Sequence, residues 1–211
     1  MITVAVYSDI ACPYCYIGKR HLEQAIVESG LDVAIKWRSF QLNPHAQLQY
    51  KEDRYTLLAQ KYGQSREWAL EISKKMTEQG QKVGIEFDFN INQPTNTFDA
   101  HRLLHLALEY EVQNELKEAF FNAFFCQGLL LSDKDVLRKL SVANGLEPLI
   151  VERVLEGNEF AEDVRKDQAT AQRMGISSVP CFVYQQKSAI LGAQPISAMK
   201  DWLGQIQNQF D

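Results

Sequence analysis

The first forty residues alternate between apolar and polar segments in a way that predicts a strand, a helix and a second strand. Ile2 to Tyr7 is apolar on both faces, as a buried strand is, and polar residues follow it. Pro13 suits a first helical position, and small or apolar residues share one helical face until the stop at Gly30. Residues 33–38 then carry large apolar side chains at every second position, the period of a strand. A right-handed crossover makes the two strands parallel and places the helix N-terminus at the carboxyl end of the first strand.

From Asn43 to about Gly175 the apolar residues recur at helical spacing only. Glycines fall where these helices need to stop. Two of the helices expected there cover residues 100–108 and 116–124. Another begins after a cap at Ser132, the next begins at Pro148, and the last runs from about Glu159 to Met174.

The end of the chain returns to strand character. Cys181 to Tyr184 and Ala189 to Leu191 read as two strands joined by a turn, and a helix follows through Ile206. Strands at both ends of the chain with helices between them indicate one sheet completed by segments distant in sequence. The helical middle is therefore expected to be an insertion into an α/β domain.

Composition and charge narrow the function classes. The 211 residues are 45% hydrophobic, as expected of one globular domain with an insertion, and the net charge of −5 includes no long run of either sign. Nucleic-acid-binding proteins usually carry a basic patch, so this charge balance argues against that class of protein. The start lacks the basic and apolar segments of a secretory signal, and no stretch is long and apolar enough to span a membrane. We expect a cytoplasmic protein without a membrane anchor.

The candidate chemistry lies in Cys12-Pro13-Tyr14-Cys15, at the point where the first strand gives way to the helix. The unpaired amides of a first helical turn favour negative charge on Cys12, and the thiolate is the attacking form of a cysteine. Cys15, one turn later, is near enough to displace Cys12 from a mixed disulfide. A zinc half-site or two unrelated buried thiols are the alternatives, but Cys126 and Cys181 are isolated and provide no second pair, so no metal site is predicted.

The segment from Ser8-Asp9 through Cys12-Pro13-Tyr14-Cys15-Tyr16-Ile17-Gly18-Lys19-Arg20 resembles the active-site segment of FrnE-type members of the DsbA family. Further segments that recur in that family are Phe40-Gln41-Leu42-Asn43-Pro44, Ala100-His101-Arg102-Leu103, Val179-Pro180 and Gly192-Ala193-Gln194-Pro195. The resemblance implies a thioredoxin fold formed by residues 1–42 and 175–211, with an all-helical insertion over 43–174. It also implies dithiol–disulfide activity.

Val179-Pro180 resembles the cis-proline loop that faces the cysteine pair in thioredoxin folds and docks substrate there. A cis bond turns the chain sharply and leaves the Val179 backbone free to pair with an extended substrate. Without the resemblance, an ordinary trans bond opening a strand would be the expectation, because only about one in twenty X-Pro bonds is cis.

Two departures from the family pattern are visible. Many thioredoxins and DsbA proteins carry a buried acid six positions before the nucleophile, where this chain has Val6, so the proton of Cys15 needs another acceptor. Asp9, a water or a substrate group is a candidate. Cys181 follows the proline directly and places a third thiol near the pair, although an inert buried cysteine is the more common case.

Several other side chains have a structural explanation that we favour over a functional one. His101 and His105 share a helix face but lack a third ligand, so flanking histidines on a half-buried helix are expected rather than a metal site. Core packing is likewise expected for Trp68, Trp202, Cys126 and the stripe Phe120, Phe121, Phe124 and Phe125.

The sequence thus predicts a thiol–disulfide oxidoreductase in which Cys12 attacks and Cys15 resolves. Its substrates would be thiol- or disulfide-bearing proteins or small molecules, with no bound cofactor and with glutathione or another thiol as a possible co-substrate. A glutathione-dependent isomerase or transferase related to 2-hydroxychromene-2-carboxylate isomerase or the kappa class is the first alternative, but those enzymes typically carry serine at the position of Cys12. A non-catalytic binding or chaperone module is the second. The sequence leaves the direction of electron flow and the oligomeric state open.

Overall fold

The structure is a computed structural model that describes the backbone of residues 1–210 and the side chains of residues 1–208. It is built around a four-stranded sheet in the order β2-β1-β3-β4, where β1 is Ile2–Ser8, β2 is Val33–Ser39, β3 is Cys181–Tyr184 and β4 is Ser188–Leu191. The predicted parallel pairing of β1 and β2 is confirmed, with Ile2 opposite Val33 and Ser8 opposite Ser39. β3 pairs antiparallel with both β1 and β4, so the two ends of the chain complete one sheet.

Helix α1 runs from Pro13 to Ser29 between the first two strands. Proline at its first position and Gly30 in the left-handed conformation at its end fix both ends, as the sequence predicted. Seven helices lie in sequence between β2 and β3, and one follows β4. They are α2 (Arg54–Tyr62), α3 (Arg66–Gln81), α4 (Phe98–Glu109), α5 (Gln113–Phe125), α6 (Lys134–Ala143), α7 (Pro148–Glu156), α8 (Ala161–Arg173) and α9 (Ile196–Phe210).

The mixed α/β fold with a helical segment between its strands confirms the predicted fold class. The exact division at residues 42 and 175 stays a prediction. Ser132 is not the cap of α6; Asp133 is, and its carboxylate accepts the backbone N–H of Asp135 at 2.8 Å. Both residues are good caps, and the Ser132 hydroxyl instead donates to the carbonyl of Leu48.

Two apolar clusters hold the site in place. One packs α1 and α9 against the sheet around Leu22, Trp37, Phe182 and Leu203. The larger joins the start of α1 to the inserted helices, and the four phenylalanines of α5 lie in it with at most 2% exposure. The prediction that this phenylalanine stripe is core is therefore confirmed. Within residues 1–210, no helix has the length and apolar character that crossing a membrane requires.

Candidate active site

Cys12 and Cys15 lie at the N-terminus of α1, directly after the carboxyl end of β1. Cys12 is the N-cap residue and has an extended backbone, and its N–H donates to the carbonyl of Asp9 at 3.2 Å. Cys12 is 5% exposed and Cys15 is fully buried one turn below it. Both are free thiols. The outer cysteine is thus the one that a substrate reaches first.

The two thiols ionise in opposite directions. The pKa of Cys12 lies below its ordinary value because the Cys15 thiol and the backbone N–H groups of Cys15 and Tyr14 donate to its sulfur, which outweighs the effect of burial. The pKa of Cys15 is raised well above the ordinary value by burial and by the adjacent Cys12, although Ser8 and Lys117 oppose this. The difference between the two pKa values means that Cys12 ionises before Cys15.

Val179 and Pro180 close the site from the opposite side. The Val179–Pro180 peptide bond is cis, and the Cys12 thiol donates to the Val179 carbonyl at 3.6 Å. α1 approaches this loop so closely that a Cβ on Gly18 would lie 2.9 Å from Cγ of Pro180 and 3.2 Å from Phe182. Only glycine fits there without displacing the loop.

Asp9 ties the loop before Cys12 to two other segments. Its carboxylate accepts the N–H of Leu42 at 2.7 Å and the hydroxyl of Thr97 at 2.9 Å, and the N–H of Ala11 at 3.2 Å. Burial alone would raise the pKa of Asp9, but the neighbouring His101 and the two backbone amides lower it. Asp9 is 2% exposed and stays a carboxylate, so it holds the loop in place and is a poor proton acceptor.

A buried lysine that sequence reasoning missed lies beneath the pair. Lys117 is completely buried in α5, and its Nζ has no hydrogen-bond partner among the described residues. Nζ lies 4.9 Å from the ring centre of Phe121 and 5.3 Å from that of Trp37. Burial lowers the pKa of Lys117 to about 8, against the opposing influence of Cys15, Asp9 and Cys12. The sequence did contain a signal for this burial: Lys117 is spaced from Phe120, Phe121 and Phe124 so that all four lie on the same helix face.

The two histidines of α4 are buried, not on a half-buried helix as predicted. His101 is 1% exposed with Nε2 3.5 Å from Asp9, and His105 contacts Ser39 at 3.1 Å and Asp167 at 3.2 Å. Each has its own acidic neighbour, so the two do not converge on one point. Within the described side chains no group of three or more histidine, cysteine, aspartate or glutamate residues is arranged to hold a metal ion.

Cys181 lies apart from the pair. It packs with Tyr7, Phe40 and Val183 in a third apolar cluster, whereas Cys12 and Cys15 belong to the cluster that joins α1 to the inserted helices. Burial raises the pKa of Cys181 to about 11, and it also raises the pKa of Cys126, directly after α5, to about 11. Neither thiol has the thiolate character of a nucleophile.

Two grooves border the start of α1, and Tyr14 lines both. The first, of about 610 Å³, lies between the pair and α2 and includes Cys12, Arg54 and Leu57 in its lining. The second, of about 760 Å³, runs past Val179 and His21 toward α9. Cys12 lines the first groove and contacts Val179, which lines the second. Residues between β2 and α4 form one wall of the first groove.

Comparison with known proteins supports this geometry. The probable DsbA oxidoreductase SCO1869 from Streptomyces coelicolor superposes with a TM-score of 0.93 at 32% identity, covering 100% of this chain and 92% of that one. Two more distant structures share the fold. The cytosolic disulfide reductase DsbM from Pseudomonas aeruginosa with glutathione has a TM-score of 0.68 at 13% identity, covering 98% of this chain and 100% of that one. A 2-hydroxychromene-2-carboxylate isomerase has a TM-score of 0.68 at 17% identity, covering 99% of this chain and 97% of that one. The sequence-family model of the DSBA-like thioredoxin domain matches residues 3–204 of this chain. With Cys12 and Cys15 in the place where a thioredoxin fold carries its redox pair, the chain belongs to the DSBA-like thioredoxin domain family.

Proposed function

We propose that the protein is a thiol–disulfide oxidoreductase that works through Cys12 and Cys15. The observation that carries this proposal is the opposite ionisation of two adjacent thiols at the helix N-terminus, one made acidic and reachable, the other kept protonated below it. A nucleophile and a resolving thiol require this difference. The FrnE type within the DsbA family stays a prediction from the sequence segments.

The exchange proceeds in two steps. The Cys12 thiolate attacks one sulfur of a substrate disulfide, a mixed disulfide forms, and the departing substrate thiolate takes a proton from solvent. Cys15 then gives up its proton and attacks Cys12 Sγ, which closes the Cys12–Cys15 disulfide and releases the second substrate thiolate. The substrate gains the two electrons that the protein loses; of the two protons that make it a pair of thiols, one balances the proton given up by Cys15 and the other comes from solvent. In reverse, the oxidised protein takes two electrons from a dithiol.

The surroundings of Cys12 support a disulfide substrate that lies over both grooves. The Val179 backbone borders the second groove beside Cys12, in a position to pair with an extended peptide as in strand addition. Proteins and small disulfides both fit this arrangement. Glutathione belongs to the proposal as a co-substrate and the cytosol as the location, in line with DsbM, a cytosolic disulfide reductase of the same fold with glutathione.

A glutathione-dependent isomerase is the alternative that the shared fold favours. It would use one thiol or serine, and the second cysteine would have no role in the reaction. The lowered pKa of Cys12 depends on the thiol and backbone N–H of Cys15, so the two cysteines act as a unit. This dependence favours the redox function over the isomerase and over a non-catalytic binding module.

The test compares Cys12→Ser, Cys15→Ser and Cys126→Ser in two assays, insulin reduction and isomerisation of a hydroxychromene carboxylate. We expect insulin reduction to be lost in both active-site variants and kept in Cys126→Ser. Mass spectrometry should find a stable glutathione adduct on Cys12 in Cys15→Ser and no adduct in Cys12→Ser. Isomerase turnover that survives Cys15→Ser, with no insulin reduction by the wild type, would overturn the proposal.

A further inference from the structure

The resolving step of the proposed exchange has no obvious proton acceptor, and the molecule offers few. The site of the usual buried acid is Val6, which lies in an apolar cluster with Leu22 and Trp37. Asp9 is close by, but three donors occupy its oxygens and its pKa is below the ordinary value. A carboxylate held in this way does not readily take a proton from a thiol.

Lys117 has the properties that these groups lack. It is fully buried, its Nζ is bound to no acceptor, and among the ionisable groups near it a Cys15 thiolate would raise its pKa most. Its four-carbon side chain is flexible and carries three donors when protonated. A buried lysine with no carboxylate partner is costly to keep charged, which makes a neutral form accessible near neutral pH.

We propose that Lys117 is the group through which Cys15 loses and regains its proton. This inference rests on the proposed disulfide exchange. When Cys15 attacks the mixed disulfide, its proton passes to the neutral amine of Lys117, so that an amine and a thiol become an ammonium and a thiolate. The total charge of the buried pair does not change during this transfer, and no net charge has to enter the apolar interior. The ammonium then loses the proton to solvent, or returns it when Cys15 is reduced again.

The groups around Lys117 set the pH at which this occurs. Cys15 raises its pKa, as do Asp9 and Cys12, while burial and the charge of Lys19 lower it. His101 on α4 also faces it; burial and the nearby Lys117 charge keep that imidazole neutral by lowering its pKa. The groups that face Lys117 are therefore Cys12, Cys15, Lys19, Asp9 and His101, from α1, the loop before it and α4.

Stopped-flow fluorescence after mixing reduced protein with oxidised glutathione separates the attack by Cys12 from the resolution by Cys15. Lys117→Met should leave the first phase within about twofold and slow the second at least about tenfold at pH 7, since a shift of one pKa unit changes the thiolate fraction about tenfold. The deficit should shrink as the pH rises, because hydroxide then takes the Cys15 proton without help from Lys117. Lys117→Gln is the second variant, in case methionine disturbs the packing.

Lys19→Arg is the matched control, because it changes a second buried lysine, whose Nζ binds Glu23 and Glu118, but keeps the positive charge that faces Lys117. It should leave the pH dependence of the second phase unchanged. A second phase in Lys117→Met that matches the wild type at every pH, or a deficit that does not vary with pH, would refute the role of Lys117. If the wild type showed neither phase, the proposed oxidoreductase function itself would fail.

A different observation concerns what the first groove recognises. The Arg54 guanidinium borders this groove together with Cys12, and its buried Nε has no hydrogen-bond partner. Among the described residues no carboxylate lies within ion-pair distance of it; instead it stacks 4.2 Å from the ring centre of Phe89. Burial lowers the pKa of Arg54 to about 10, although the group remains cationic at neutral pH. A half-buried cation whose Nε is shielded from water and has no anion beside it is costly unless a ligand supplies one.

The geometry points to Arg54 as the binding site for a carboxylate carried by the disulfide substrate next to its reacting sulfur. This second inference also rests on the proposed exchange. Arg54→Gln should lower kcat/KM for oxidised glutathione at least about tenfold, as expected for loss of a charge-assisted bond to a bound carboxylate. Turnover of the uncharged hydroxyethyl disulfide should change less than about twofold, which also controls for any effect of Arg54 on Cys12.

Lys61→Gln removes an exposed cation from the same groove and is the control for a general charge effect. It should affect the two disulfides equally. Equal losses for both disulfides in Arg54→Gln, or equal losses of glutathione turnover in the two variants, would overturn the assignment of Arg54.

Discussion

Replacing Asp9 by asparagine is expected to make the protein less stable and Cys12 more acidic at the same time. One oxygen of Asp9 accepts the Leu42 N–H, and the other accepts from Ala11 and Thr97. Asparagine keeps one acceptor, so its NH₂ group faces a donor whichever way the amide turns. A bond to a charged group contributes about 1.5–3 kcal/mol and an unsatisfied buried donor costs about 1–3 kcal/mol, so the free energy of unfolding should fall by roughly 3–5 kcal/mol.

The same change should lower the pKa of Cys12, because the negative charge of Asp9 raises it in the wild type. The stability effect has a pH dependence of known sign. The pKa of Asp9 is lowered by folding, so its contribution is complete above the unfolded value of about 4 and is lost as the pH falls through the folded value. Wild type and variant should therefore converge in stability only under acid conditions.

Urea unfolding followed by tryptophan fluorescence measures the first effect, and the rate of Cys12 alkylation against pH measures the second. Asp32→Asn is the control, since the Asp32 side chain is 81% exposed and distant in sequence from Cys12. An unfolding free energy equal to that of the wild type would contradict the hydrogen-bond account of Asp9. A Cys12 pKa that rises in Asp9→Asn would contradict the electrostatic one.

Four further outcomes follow from the structure. Cys12 should alkylate with a pKa below the free-cysteine value of about 8.5, measured by mass spectrometry after iodoacetamide pulses, and a value above that would contradict the helix-terminus geometry. Cys181→Ala should keep insulin reduction within about twofold of the wild type, because its thiol packs in a separate cluster; a large loss would give Cys181 a redox role. Gly18→Ala should destabilise the fold by about 1–3 kcal/mol in thermal unfolding, because the new methyl would lie 2.9 Å from Pro180; unchanged stability would mean that the loop can move. Arg102→Met should cost about 3–5 kcal/mol in urea unfolding, since the buried guanidinium binds the carbonyls of Glu159 and Gly157, and a smaller loss would mean that water replaces it.

The start of the fold and the position of Cys12 and Cys15 at a helix N-terminus were predictable from the sequence because their signals are local. Pro13, Gly30 and the alternation along β2 mark α1 and both parallel strands without reference to the rest of the chain. The resemblance of the segment around Cys12 added the fold class, which the structure confirms.

The rest of the site depends on contacts between distant residues, and no local pattern contains them. Asp9 meets Thr97 across 88 positions of sequence, and Lys117 on α5 lies beneath a thiol of α1. In the sequence, Lys117 is only a charged residue that interrupts an apolar helix face. The fold is needed to show which groups lie next to it. For the same reason His101 and His105 looked half-exposed in sequence, whereas the structure buries them against two different carboxylates.

The contact between Cys12 and the Val179 carbonyl spans 167 residues, and this separation matters while the chain is being synthesised. At about 5–20 residues per second, Cys12 is added to the chain roughly 10–30 s before Val179. During that interval the thiol pair sits on an incomplete sheet, because β3 has not yet been made. The residues that carry the chemistry are therefore among the first to be made, but the site they belong to is completed only when nearly the whole chain has been translated.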